Sequence, residues 1–345
     1  MNDSSSSRSS RPSRVTMPEV SSFRGSPPAT VLEWLALRFP RVPRSVWRER
    51  IDRGAVTLDA QGSRAAEAVT PELAYAAGRR VLYFREVAAG EEPVVPFRET
   101  VLHLDERLVV VDKPPFLPVT PGGPFVRECL LERLRGLPGC AECVPLHRLD
   151  RLTSGLVLFA RQPADRGVYG ELFARRRVEK RYGAMAAVDA ESDGAGGLEA
   201  GSWTVRTRIE KGTPFFRMRQ REDGEANSET RVRLLGRFGA SSPARALFEL
   251  RPITGKTHQL RLHMAHLGWP LVGDPLYPEL RPRGPDRWQE PLRLVAEELR
   301  FEDPHSGEER RFRSRFRVER LAEQIAGEAE AAARPEDGRS GAGDI

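Results

Sequence analysis

Residues His147–Arg161 read HRLDRLTSGLVLFAR, with four ionisable side chains in five positions running straight into Gly-Leu-Val-Leu-Phe-Ala. An acid, Asp150, lies between Arg148 and Arg151 at the mouth of a segment that looks made for a core. Upstream, Cys140-x-x-Cys143-x-x-x-His147 and the later His258, His263 and His266 raise metal-assisted hydrolysis as a possible chemistry. That chemistry fails on spacing. A structural zinc site wants four ligands, and the chain has no second cysteine pair. His258 and His263 stand five apart, which puts them on different helix faces, unlike the four-residue step of H-E-x-x-H.

The elements that must carry Asp150 can be read from periodicity. LVVVDKPP is a strand stopped by its prolines, since proline cannot continue a ladder. A helix is expected near residues 126–134, GLVLFAR is a buried strand, and VYGELFARRR is a helix with Tyr169, Leu172 and Phe173 inward. KRYGAMAAV is a strand, four more strand candidates lie between Trp203 and Arg251, and THQLRLHMAHLG is a helix closed by Gly268. Many strands with scattered helices, and no regular βαβ alternation, imply an α+β domain around a mostly antiparallel sheet.

In front of this body lies a smaller pattern. Thr30 and Glu33 form a capping box for a helix that starts near Val31 and stops at Pro40, and a second helix runs from Arg44 to Arg53. AVTLD and RRVLYF follow as two strands. Arg44, Arg48, Arg50 and Arg53 crowd the second helix, which suits phosphate contacts that position a substrate without reading its sequence. The bland reading of any single one of them is a solvated helix face. This pattern resembles the αL RNA-binding motif of small ribosomal RNA-binding domains, although the usual Asn-Gly hairpin turn is missing.

The expected organisation is a disordered tail over 1–27, the αL-like domain over 28–88, a linker over 89–99, a main domain over 100–320 and a disordered tail over 321–345. The chain has 345 residues, room for about two domains. Its net charge is +6, and of 55 basic residues only four are lysine. Arginine can grip phosphate bidentately and stack on bases, so the balance suits a polyanionic partner. No apolar run is long enough to span a membrane, the N-terminus lacks a secretory signal, and three cysteines fit a reducing compartment, so a cytoplasmic location is expected.

VVDKPPFLPVTP, HRLDRLTSGLVLFAR, EKRYGAM and RPITGKTHQLRLHMAHLGWPLVGDPLY are similar, in order, to the successive signatures of the RluA-type pseudouridine synthases. The resemblance covers about 101–277 and implies a pseudouridine synthase-like catalytic domain joined to a small α+β RNA-binding domain. Such enzymes break the N-glycosidic bond of a uridine in RNA, turn the uracil and rejoin it to the ribose through C5. Substrate and product are isomers, so no cofactor, metal or energy donor is expected.

The resemblance gives catalytic roles to Asp150, to Arg261 as its counter-charge, and to Tyr182 as the ring that stacks on the uracil and helps remove the C5 proton. It implies that Arg148 fills the gap left by a flipped uridine, that Lys256 and His258 contact RNA, and that His147 either contacts RNA or merely orients the loop. Lys256 replaces the arginine of the usual Thr-Gly-Arg, which keeps the charge and loses the fork, and Pro278 replaces a usual glycine. The expected partner is ribosomal RNA, with tRNA open, and no protein partner or membrane. A sheet that only binds RNA is the alternative, disfavoured because Asp150, Tyr182 and Arg261 are all present.

Overall fold

The computed structural model describes residues 7–9, 11–60, 66–87, 90–188, 201–221, 223–238, 244–282, 284–324 and 327. The chain divides into two compact units, Met1–Pro93 with Pro121–Arg127, and Val94–Thr120 with Glu128–Ile345.

The first unit holds helices Val31–Arg38 and Arg44–Asp52 against a four-stranded antiparallel sheet ordered Ser13–Thr16, Arg80–Tyr83, Val56–Leu58, Glu67–Ala68. The capping box forms: Glu33 N–H donates to Thr30 Oγ1 at 3.2 Å, while the Glu33 carboxylate reaches back to Ala29 N–H at 2.9 Å. Trp34, Trp47 and Tyr83 are buried between helices and sheet. The tail expected over 1–27 is corrected here. Ser13–Thr16 pairs with Arg80–Tyr83 and Met17 is buried in the core, because alternating Val15 and Met17 turn apolar side chains onto the same cluster that Val81 and Tyr83 enter.

In the second unit an 11-stranded sheet is built around the path Met218–Arg221, Ser202–Lys211, Ser228–Phe238, Ala244–Pro252, Glu179–Val188, Leu294–Glu302, Ser154–Ala160, Leu108–Lys113, Thr100–Leu104. Ser154–Ala160 runs parallel to Leu294–Glu302; the other pairings among the described residues are antiparallel. All seven residues of Ser154–Ala160 are buried. The parallel contact depends on Gly155, whose φ is 105° and where a Cβ would stand 2.3 Å from the Ala296 carbonyl oxygen. No L side chain fits there.

Helix Gln259–His266 ends as its sequence predicts. Gly268 takes φ 78°, its N–H donates to Ala265 O at 3.1 Å, and Trp269 N–H donates to Met264 O at 2.9 Å, a Schellman closure. The helix expected from 126 begins later, as Leu130–Arg135, where Leu130 and Leu131 N–H groups are taken by the carbonyls of Pro118 and Val119. The linker over 89–99 is also corrected. Val95 and Phe97 alternate inward and are buried, and Arg133 donates to both their carbonyls at 2.8 and 2.7 Å. At the far end Leu321 is buried and Gln324 accepts from Arg317 N–H at 3.0 Å, so the tail starts later than 321; the rest of that segment, 327 apart, lies outside the described residues.

Candidate active site

Asp150 stands four residues before the Ser154–Ala160 strand, on a turn closed by Thr153 N–H to Asp150 O at 3.1 Å. Three anchors fix that turn. Leu149 and Leu152 bury their side chains on either side of it. His147 stacks on Phe173 with centroids 4.8 Å apart, and its Nε2 accepts the Leu158 N–H at 3.1 Å. Burial and the nearby Lys180 push the His147 pKa down to about 3, so the ring is a neutral acceptor that holds the loop. The third anchor is Lys113, fully buried, whose Nζ donates to Pro114 O and Leu117 O at 2.8 Å and to Arg151 O at 3.1 Å. Burial drives its pKa well below the usual lysine range. The strand-ending lysine before a proline pair was visible in the sequence, but its three carbonyl partners were not.

Arg261, buried on helix Gln259–His266, points one guanidinium nitrogen at Asp150, with Nη1 3.5 Å from Oδ2. Its other two nitrogens are committed to Asp274, at 2.8 Å from Nε and 2.6 Å from Nη2. The expected counter-charge is therefore shared, and the tighter partner is Asp274. Burial opposes the Arg261 charge, but the hydrogen bonds and charge of Asp274, followed by Asp150, raise its pKa above the ordinary value. Asp274 also accepts the N–H groups of Leu276 and Tyr277 at 2.8 and 3.2 Å. The signal for Asp274 was the GDPLY run, quoted in the sequence but given no role.

His258 caps the same helix in a left-handed conformation, φ 55°. Tyr277 Oη donates to Met218 O at 3.1 Å, which leaves His258 Nδ1 as donor to Tyr277 Oη at 2.9 Å. Nε2 then faces Asp150 at 3.9 Å, on a ring whose pKa burial lowers. Gln259 braces the Thr254–Lys256 turn, accepting from Lys256 N–H at 3.0 Å and Thr254 Oγ1 at 2.6 Å and donating to Glu229 O at 2.9 Å.

These groups open into one cavity of about 780 Å³, whose lining includes Arg148, Asp150, Lys180, Tyr182, Lys256 and His258. Tyr182 is buried at a β-bulge of the Glu179–Val188 strand. Burial, then the Asp150 charge, raises its phenol pKa, so the ring enters neutral. Arg148 and Lys256 are exposed at the rim and have no acid partner among the described residues. Lys180, two positions before Tyr182 and unassigned from sequence, faces the same space. Burial, then Arg176, lowers its pKa.

Other expected residues stand elsewhere. Arg44, Arg48, Arg50 and Arg53 belong to the first unit. Arg50 and Arg53 turn to Glu86, Arg44 lies 3.7 Å from Glu33, and Arg48 is exposed. His263 is a core residue, its ring nitrogens bonded to Thr230 at 2.8 Å and to Thr207 and Ser228 at 3.0 and 3.1 Å. Among the described residues no group of three or more His, Cys, Asp or Glu is placed to hold a metal.

A carboxylate and a neutral tyrosine ring presented by two strands of a mixed sheet, with a locked arginine from a helix beside them, meet in one cationic cleft and define an enzyme suited to a polyanionic substrate. The model of the RNA pseudouridylate synthase family matches residues 107–266. An uncharacterised RNA pseudouridine synthase of Synechocystis is 32% identical over 251 residues, 72% of this chain and 79% of that protein. Ribosomal large subunit pseudouridine synthase D of Xanthomonas campestris is 33% identical over 79% of this chain and 81% of its own length. The dual-specificity RNA pseudouridine synthase RluA of Pasteurella multocida is 34% identical over 61% of this chain and 90% of its own length. The chain belongs to the RNA pseudouridylate synthase family, among its RluA- and RluD-type members. It is an RNA pseudouridine synthase, an isomerase that converts uridine in RNA to pseudouridine.

Proposed function

We propose that Asp150 performs the bond chemistry at C1′, as nucleophile or as base at the 2′ position, with Arg261 fixing its carboxylate and Tyr182 stacking on the uracil. The observation that carries this reading is the Arg261 guanidinium, clamped on two nitrogens by Asp274 and aimed with the third at Asp150. A counter-charge that cannot swing away keeps the acid in place. Arg148, exposed two residues from Asp150, is placed to fill the vacated base stack, and Lys256 and Lys180 to meet phosphate at the rim. The neutral Tyr182 phenol is a poor base, so the C5 proton leaves through water or through His258, whose free Nε2 faces the same carboxylate.

The substrate we assign is large-subunit ribosomal RNA, as the name of the Xanthomonas campestris relative suggests, with tRNA the competing class. The first unit grips structured RNA through the exposed side of helix Arg44–Asp52. The setting is the cytoplasm, where three buried cysteines outside any disulfide stay reduced.

Asp150→Asn tests the chemistry. RNA binding should stay within about twofold while pseudouridine formation disappears, a loss of at least about 10³-fold. A variant that still isomerises uridine defeats the assignment. Mapping pseudouridines across total RNA with and without the gene identifies the substrate by the site that vanishes.

A further inference from the structure

Arg151 has no role in the chemistry above, yet its guanidinium is fully engaged. Nη1 and Nη2 donate to Asp286 at 2.7 and 2.8 Å, a bidentate pair spanning 135 positions of sequence, and Nη1 also reaches Phe116 O at 3.3 Å. Phe116 is held at φ 66°, a conformation that a bulky residue adopts only when its surroundings impose it. Its ring packs edge-on against Trp288, centroids 4.8 Å apart, and Trp288 meets Phe97 at 5.6 Å. Asp286 and Trp288 thus grip, from one loop, the residue after Asp150 and the Pro114–Leu117 turn that shares Lys113 with it.

The same loop begins at Asp274, the residue that locks Arg261. Its two ends are pinned together: Gly273 lies against Pro291, where a Cβ would come within 2.4 Å of the carbonyl oxygen, and Arg293 N–H donates to Val272 O at 2.9 Å. Neither Asp286 nor Trp288 lines the cavity.

We infer that the 274–291 loop is the positioning element of the active site, with Asp274 at its start setting Arg261 and, toward its end, Asp286 setting Arg151 and Trp288 setting Phe116, so that Asp150 is held from both sides. This rests on the synthase reading of Asp150. Asp286 and Trp288 are positioning residues, acting through Arg151 and Phe116 and touching no RNA. Because small misplacements of a reacting group are costly to turnover, their loss acts on kcat.

The test uses the full-length protein and unmodified large-subunit ribosomal RNA transcript, comparing D286A, D286N, D286E, R151A and R151A/D286A. D286A should lower kcat about tenfold with KM within about twofold and the melting midpoint within a few degrees. D286E should recover most of kcat, and D286A should cost little more in the R151A background. If D286A does not fold, the near-isosteric D286N carries the test, with a folded protein and a several-fold lower kcat expected. Wild-type kcat in a folded D286A or D286N, a rise in KM with kcat kept, or a kcat loss that merely matches the unfolded fraction overturns the inference. An active wild type with indifferent Asp286 variants sinks this inference alone. A wild type inactive on every RNA sinks the synthase reading first.

Discussion

Six histidines are spread along this chain, and three of them stand in three different settings. His147 is a neutral peg under the Asp150 turn, His258 turns one nitrogen to Asp150, and His263 is a satisfied core residue. His263 gives a pH prediction. Burial, then His266, lowers its pKa to about 4 from the usual 6.5. The folded state therefore refuses a proton that the unfolded chain takes, so its stability contribution is complete above pH 6.5 and is lost as pH falls toward 4. At pH 5 the loss from this residue is about 2 kcal/mol. Urea denaturation at pH 8 and pH 5 should show a difference smaller by that amount in H263Q than in wild type; equal differences would mean the ring titrates normally.

At this scale the sequence exposes one class of residue well. Asp150, Tyr182 and Arg261 sit in the runs that carry the family resemblance, and they line one cavity. Lys113, Asp274 and Asp286 escape it because their meaning lies in a partner. Carbonyl groups gathered around Lys113 and a loop folded back onto Arg151 are consequences of topology, which no local period encodes.

Elements were legible where a period and a cap agreed, as in helix Gln259–His266 with Gly268 or helix Val31–Arg38 with Thr30. They were less legible where tertiary carbonyls set the boundary, as at Leu130, or where a Pro-rich stretch buries alternate side chains, as at Val95 and Phe97. The arginine helix is an intermediate case. Of its four arginines, Arg50 and Arg53 are bound to Glu86, which leaves Arg44 and Arg48 as the outward cations. If these two meet phosphates, R44E/R48E should flatten the log–log salt dependence of RNA binding by about 2 and weaken binding far more than it changes kcat at saturating RNA. An unchanged salt slope would make the helix a solvated face and nothing more.

The second unit is ordered by one strand. Leu294–Glu302 lies between Ser154–Ala160 and Glu179–Val188, the two strands that present Asp150 and Tyr182, and it follows both of them by more than a hundred residues of sequence. The family model ends at residue 266, well before it. A chain stopped after Glu290 should therefore contain all four signature runs and still lack a folded site. Its pseudouridine formation should be undetectable and its near-UV circular dichroism lost, whereas retained activity would show that the strand is dispensable. The same geometry bears on synthesis. While the chain is still leaving the ribosome, Asp150 is already made, but the wedge that separates its strand from that of Tyr182 is not. The nascent enzyme is thus inert until that wedge has emerged and paired with both strands, however early its acid was made.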